Sequence, residues 1–231
     1  MIAIDNLAFS YDGRGPNAGT SPFGMRIETL EVQQGSSTAL VGPSGSGKTT
    51  LLGLIAGTLR AKSGSVRVNR QAITSFNDGE LGRFRIRHVG QVFQAFELLA
   101  YLTVTENVML PWYISAAGAK ADVRTRATGL LRGVGLESKL NAMPGELSQG
   151  EQQRVAVCRA MLNNPPVLLA DEPTGNLDRE NKQNVVDLLV KQARQNNSTL
   201  LMVTHDESLL TSFDSVLDMR DIARPLLAKD Q

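Results

Sequence analysis

Apolar and polar residues alternate along residues 2–9 and again along 25–32. A period of two predicts a pair of half-buried, antiparallel strands near the N-terminus. Residues 13–22 between them are rich in Gly, Pro, Asn, Ser and Thr and read as an exposed loop. Strand-sized apolar runs follow at 37–41, 65–68 and 88–93, and a helical pattern covers about 47–57. From about residue 95 to 162 the texture changes. Helical patterning begins at Thr105, continues over 121–134 and returns over 148–162, with no comparable strand between. Residues 167–170 are apolar without a break, as in a strand covered on both faces. An amphipathic helix over 179–195 and a strand over 199–203 complete the pattern. Strands alternating with helices predict an α/β fold: a mixed sheet core, an N-terminal antiparallel β part and an inserted helical subdomain. Residues 1–94 and 163–231 then form one core, and residues 95–162 the helical insertion.

The 231 residues are 42% apolar, enough for one domain with a sizeable core. A formal net charge of +1 offers no electrostatic footprint for nucleic acid, which is not expected as a partner. The single cysteine, Cys158, excludes a disulfide within the chain. It falls in a helical pattern and reads as a small buried apolar residue. No basic stretch followed by an apolar one opens the sequence, and no run reaches the ~20 apolar residues of a membrane helix. Action at a membrane therefore requires a second chain that spans it.

The chemistry starts at Gly42-Pro43-Ser44-Gly45-Ser46-Gly47-Lys48-Thr49, a full G-x-x-x-x-G-K-[ST] pattern with a strand before it and a helix after it. Glycines let the backbone curl so that successive N–H groups face phosphate oxygens, and the helix adds its positive end. Lys48 brings a point charge to the β- and γ-phosphates, Thr49 a hydroxyl to Mg²⁺, and Thr50 a contact to the α-phosphate. The apolar run 167–170 ends in Asp171 and Glu172. A parallel sheet gathers ligands at the carboxyl ends of its strands, so both acids are expected beside the phosphates. Asp171 then holds Mg²⁺ through water, and Glu172 orients or deprotonates the attacking water. His88, inside a strand pattern, reads as structural.

Leu147-Ser148-Gln149-Gly150-Glu151-Gln152-Gln153-Arg154 resembles the signature motif of the ATP-binding cassette (ABC) ATPases. The motif opens a helix, so Ser148 and the Gly150 N–H make an anion site. Gln94 matches that family's Q-loop glutamine, Asn176-Leu177-Asp178 its D-loop, His205 its switch histidine, and Tyr11 the aromatic that stacks on adenine. The resemblance implies ATP and Mg²⁺ as cofactors, Gln94 as a further Mg²⁺ ligand, and a catalytic group of Lys48, Gln94, Glu172 and His205. It implies a homodimer, with Ser148, Gly150 and Asp178 of one copy completing the ATP site of the other. The family usually has glycine where this chain has Gln149, and often glutamine where it has Glu151. If position 149 needs a positive φ, Gln149 costs about 1 kcal/mol or more.

Residues 93–99, 102–111, 150–156 and 170–178 resemble one branch in particular, that of bacterial lipoprotein-releasing, macrolide-export and cell-division ATPases. That resemblance implies a peripheral subunit on the cytoplasmic face of the cell membrane, docked near Gln94 to an integral membrane permease. Phe96, Leu98, Leu99 and Tyr101 either line the docking groove or pack the helical core. Two other readings remain at this level: a soluble ABC-type ATPase acting on ribosomes or DNA, and a low-turnover nucleotide-binding scaffold. The presence of Lys48, Asp171, Glu172 and His205 argues against the scaffold.

Overall fold

The computed structural model describes residues 1–11, 23–115 and 119–226, apart from the side chains at 179 and 180. The expected loop over 13–22 lies outside the described residues. In chain order the elements are β1 (Ile2–Ser10), β2 (Gly24–Val32), β3 (Ser37–Val41), α1 (Lys48–Ala56), β4 (Ser63–Val68) and β5 (Gln71–Ala72). Then come α2 (Asp78–His88), β6 (Val89–Phe93), α3 (Val104–Ser115), α4 (Lys120–Gly133) and α5 (Gln149–Met161). The remainder are β7 (Val167–Asp171), α6 (Arg179–Gln195), β8 (Thr199–Val203), β9 (Ser215–Asp218), α7 (Met219–Ile222) and β10 (Arg224–Pro225).

Antiparallel and parallel strands segregate into two sheets, of order β10-β2-β1-β4-β5 and β6-β7-β8-β3-β9. Every pairing in the second sheet is parallel. Its central strands bury both faces, which accounts for their unbroken apolar runs. Val167, Leu169, Leu201 and Val203 join the core around α1, while Leu168, Ala170, Leu200 and Met202 join the core around α6. Helix α1 shares the first core with Ile4, Leu7, Ile27 and Val66 of the antiparallel sheet, and its Leu51 and Ile55 are fully buried. Truncating either to alanine removes packing worth about 2–5 kcal/mol. Helices α3, α4 and α5 share a third core that includes Val108, Leu131, Val155 and Cys158. Burial pushes the Cys158 thiol up to about 12, so it stays protonated and serves as packing.

Three helices start on the same local device. Asn77 with Glu80, Thr103 with Glu106 and Ser148 with Glu151 exchange side-chain-to-backbone hydrogen bonds across three residues. Each pair satisfies two N–H groups that a helix start leaves without partners. The sequence reading missed α2, because Leu81 and Phe84 are its only buried apolar positions. That omission also misplaced His88, which ends α2 and does not belong to a strand. Its ring stacks on Phe84 at 5.2 Å and lies 3.3 Å from Asn69 Nδ2 and 3.1 Å from Gln71 Nε2. Those contacts make it a structural tie between α2 and the β4–β5 turn.

The backbone hydrogen bond from Ser148 to Glu151 leads the interactions that hold this carboxyl below its ordinary value of 4.5. A depressed native pKa adds stability above the unfolded value and loses it as pH falls through the native one. Glu151→Ala is expected to cost about 1 kcal/mol at pH 7. Chemical denaturation of parent and variant should show that gap closing once the pH drops below 4.5 and through the depressed native value.

Candidate active site

The strand β3 feeds the P-loop directly into α1, so the loop is anchored at both ends in the buried core. Gly42, Gly45 and Gly47 take positive φ of 144°, 76° and 95°. At Gly47 a Cβ would lie 2.7 Å from Phe23 Cζ, and at Gly42 one would lie 2.9 Å from Met219 Cβ. Both the φ angles and the space therefore demand glycine at these two positions. Lys48, only 8% exposed, donates to the Gly42 and Pro43 carbonyls, each at 2.9 Å. Its ammonium is thus folded across the loop mouth. The Ser46 hydroxyl is buried in the loop with no hydrogen-bond partner among the described residues.

A cleft of about 490 Å³ opens over this loop, lined by Tyr11, Phe23, Gly42, Ser44, Gly45, Gly47, Lys48, Thr49, Thr50, Glu172 and His205. Five sequence elements far apart in the chain thus converge on one space. Tyr11 is 45% exposed there. Its hydroxyl is 3.1 Å from Thr50 Oγ1, and its ring meets Phe9 edge-on at 4.8 Å and Phe23 at 6.2 Å. The tyrosine is therefore fixed in plane while part of its ring stays open. Phe23 was not foreseen, because no periodicity marks a lone aromatic beside a loop.

Strand β7 ends at Asp171 with Glu172 next in the chain; Glu172 lines the cleft, while Asp171 does not line it and lies against Thr49. Asp171 is hydrogen-bonded by Thr49; its pKa is raised, first by burial and also by the neighbouring Glu172 charge, with Thr49 and Lys48 opposing. Glu172 takes left-handed backbone at φ 44°, unusual for a residue with a Cβ. Its N–H donates to Val203 O at 3.2 Å and its carbonyl accepts from Gly175 at 3.1 Å, so neighbouring strand and turn hold the strain. The twist points its carboxylate to His205, with Oε2 3.4 Å from Nδ1.

Ser148, Gly150, Asp178 and Gln94 line no part of this cleft. Ser148 caps α5 and Asp178 caps α6, and the two helix starts are adjacent. Asn181 bridges them: it donates from its backbone and side chain to Asp178 at 3.0 and 2.6 Å, and a Cβ on Gly150 would lie 3.1 Å from its Oδ1. Gln149 is the first helical residue of α5 and has no positive φ. The expected backbone cost at this position therefore does not arise, since a right-handed helical residue carries a side chain freely. Glu151, the other departure, serves in the capping pair described above.

Gln94 follows β6 and is exposed. Its carbonyl accepts from Asn176 Nδ2 at 3.2 Å, and a Cβ on Gly175 would approach its Nε2 to 2.7 Å. It therefore reaches Glu172 through the turn that follows the acids. A separate, largely apolar groove of about 360 Å³ runs along β6, lined in part by Phe93, Glu97, Leu110, Pro111, Ile114 and Arg159. None of Phe96, Leu98, Leu99 and Tyr101 lines this groove. Phe96 is only 9% exposed, Leu98 packs on the helical core, and Tyr101 is 75% exposed.

The match to known proteins agrees with this arrangement. The model of the ABC transporter family fits residues 26–175. The lipoprotein-releasing system ATP-binding protein LolD of Syntrophotalea carbinolica is 45% identical over 226 residues, covering 96% of this chain and 95% of that one. The ABC transporter ATP-binding protein YtrE of Bacillus subtilis is 39% identical over 223 residues, covering 96% and 95%. Among solved structures, the ATP-binding cassette MJ0796, a dimer in a post-hydrolysis state bound to ADP and Pi, superposes with a TM-score of 0.83 at 33% identity over 94% of each chain. With a P-loop cleft, an acid pair and a signature helix in one fold, the chain belongs to the ABC transporter family, as one of its ATP-binding, ATP-hydrolysing subunits.

Proposed function

We propose that two copies of this chain clamp two ATP molecules between them, and that clamping and release drive an integral membrane permease. The observation that carries this reading is a division of labour. Lys48, Thr49, Glu172 and His205 share one cleft, while the anion-seeking helix starts at Ser148 and Asp178 lie outside it. A helix start with Ser148 and the Gly150 N–H suits a phosphate. Since it does not face its own chain's P-loop cleft, its phosphate belongs to the nucleotide of a second copy, in a two-fold dimer.

Within one cleft the roles follow from chemistry. Tyr11 offers its open ring to the adenine. Residues 42–50, that is Gly42, Pro43, Ser44, Gly45, Ser46, Gly47, Lys48, Thr49 and Thr50, wrap the phosphates. Their backbone N–H groups and the buried Ser46 hydroxyl meet phosphate oxygens, and Lys48 leaves the loop carbonyls for the γ-phosphate. Thr49 and Asp171, already joined by a hydrogen bond, form a hard-oxygen pair that fits Mg²⁺, with Gln94 as a further ligand. When bound, the ion neutralises phosphate charge. Glu172 takes a proton from the attacking water as its oxygen bonds to the γ-phosphorus and the bridge to the β-phosphate breaks. His205 holds the γ-phosphate from the side facing Glu172.

The apolar groove beside β6 receives a helix of the permease, which places the docked partner next to the Gln94 turn. No helix among the described residues is long and apolar enough to cross a membrane. We place this subunit peripherally, on the cytoplasmic face, with the permease spanning the bilayer. The LolD relative is named for lipoprotein release. Lipoprotein release, export or force transmission across the envelope is the corresponding task here. A soluble ATPase acting on ribosomes or DNA lacks support in a chain of net charge +1.

Glu172→Gln should bind Mg-ATP as the parent does, dimerise on binding, and hydrolyse about 100-fold more slowly or worse. Turnover assays and light scattering read both effects, and a protein that stays monomeric at saturating Mg-ATP defeats the two-copy reading. Ile114→Asp should abolish co-purification with the permease while ATP affinity is unchanged. Retention of the complex would remove the groove from the docking site.

A further inference from the structure

We propose that Arg159, on the signature helix α5, is a positioning residue for Gln94, which it serves by clasping the turn after β6. The proposal rests on the assignment of Gln94 to the hydrolytic site. Phe96 and Glu97 both take left-handed backbone, at φ 55° and 51°. Both carry a Cβ, so each is strained, and two in succession persist only where surroundings hold them. The turn's own hydrogen bonds are meagre: Phe96 N–H to Phe93 O at 3.4 Å and Glu97 N–H to Ala95 O at 2.5 Å. The hold comes from across the fold. Arg159 Nη2 donates to Phe96 O at 2.7 Å, and Nη1 donates to Glu97 O. One planar guanidinium thus grips the carbonyls of both strained residues, a geometry that an ammonium does not reproduce.

Gln94 stands two residues upstream of the clasped pair. Its carbonyl is tied to Asn176, and its amide lies against Gly175, whose N–H donates to Glu172 O. A continuous line of contacts therefore joins α5, the clasped turn, Gln94 and Glu172. If the clasp is lost, residues 96 and 97 relax to right-handed backbone and Gln94 swings away from Gly175. Arg159 lines no part of the nucleotide cleft, and the P-loop, Thr49 and Asp171 still hold Mg-ATP when Gln94 withdraws, so the effect falls mainly on turnover. Glu97 and Arg159 also line the apolar groove, so an occupant of that groove bears on the clasp directly.

The test is steady-state ATP hydrolysis by the purified full chain, reading kcat and KM separately. Arg159→Met keeps the apolar stem and removes every donor; it should lower kcat about tenfold with KM unchanged. Arg159→Lys should fail to restore turnover. Adding Glu97→Gly to Arg159→Met should recover much of kcat, because glycine holds a positive φ without help. Glu97→Pro leaves α5 untouched and forbids the left-handed turn. It should reproduce the loss even if Arg159→Met does not fold. Parental kcat in Glu97→Pro, a loss confined to KM, or no rescue by Glu97→Gly would each overturn the clasp. Gln94→Ala separates the two levels. Full turnover there sinks the site assignment and the clasp with it, whereas reduced turnover there with parental turnover in Glu97→Pro sinks the clasp alone.

Discussion

Helix α1 is packed between two sheets, and its first residue is the P-loop lysine. Leu51, Ile55 and Ala56 are buried without remainder, so the helix start has no room to move. A phosphate cradle depends on N–H groups held in place before the ligand arrives, since backbone that must be ordered on binding subtracts from affinity. Core burial supplies that order here. The glycines at 42 and 47 are then forced, one against Met219 and one against Phe23, by the closeness with which the loop is wrapped.

The second constraint is strain at the ends of neighbouring parallel strands. Glu172 after β7 and the pair Phe96 and Glu97 after β6 hold left-handed backbone with side chains attached. The two strands are hydrogen-bonded neighbours, with Phe93 paired to Asp171. Strain therefore gathers at one corner of the sheet, on both sides of the turn that carries Gly175 and Asn176. Strain of this kind persists where the surrounding fold over-determines it, as the Val203 carbonyl does for Glu172 and the Arg159 guanidinium does for its turn.

Within one copy the P-loop cleft and the capped helix starts at Ser148 and Asp178 stay apart. The cleft gathers Lys48, Glu172 and His205, while the capped starts of α5 and α6 form a separate surface joined by Asn181. The Ser148–Glu151 exchange uses one acceptor position of the Ser148 hydroxyl, which keeps its O–H donor and a second lone pair, so capping the helix does not exhaust Ser148. Glu151 in place of the more usual glutamine strengthens that exchange with a charge at the positive end of a helix.

Much of the framework was legible residue by residue. The period of two announced β1 and β2, the unbroken run at 167–170 announced a strand covered on both faces, and the P-loop spacing announced the cradle. These signals are local: each depends on residues close in the chain whose pattern a single element dictates. What failed to show was of two kinds. Helix α2 and the strands β5, β9 and β10 bury little or are very short, so periodicity had nothing to mark. The apolar groove, the Asn181 bridge, Phe23 in the cleft and the Arg159 clasp join residues tens of positions apart, and no pattern within a segment encodes such a meeting. Sequence by itself determined the elements and the chemical groups on them, because propensity and spacing act over a few residues. Only the tertiary structure decided which of those groups share a cleft, which stand outside it, and where the backbone is strained, because those outcomes belong to packing across the whole chain.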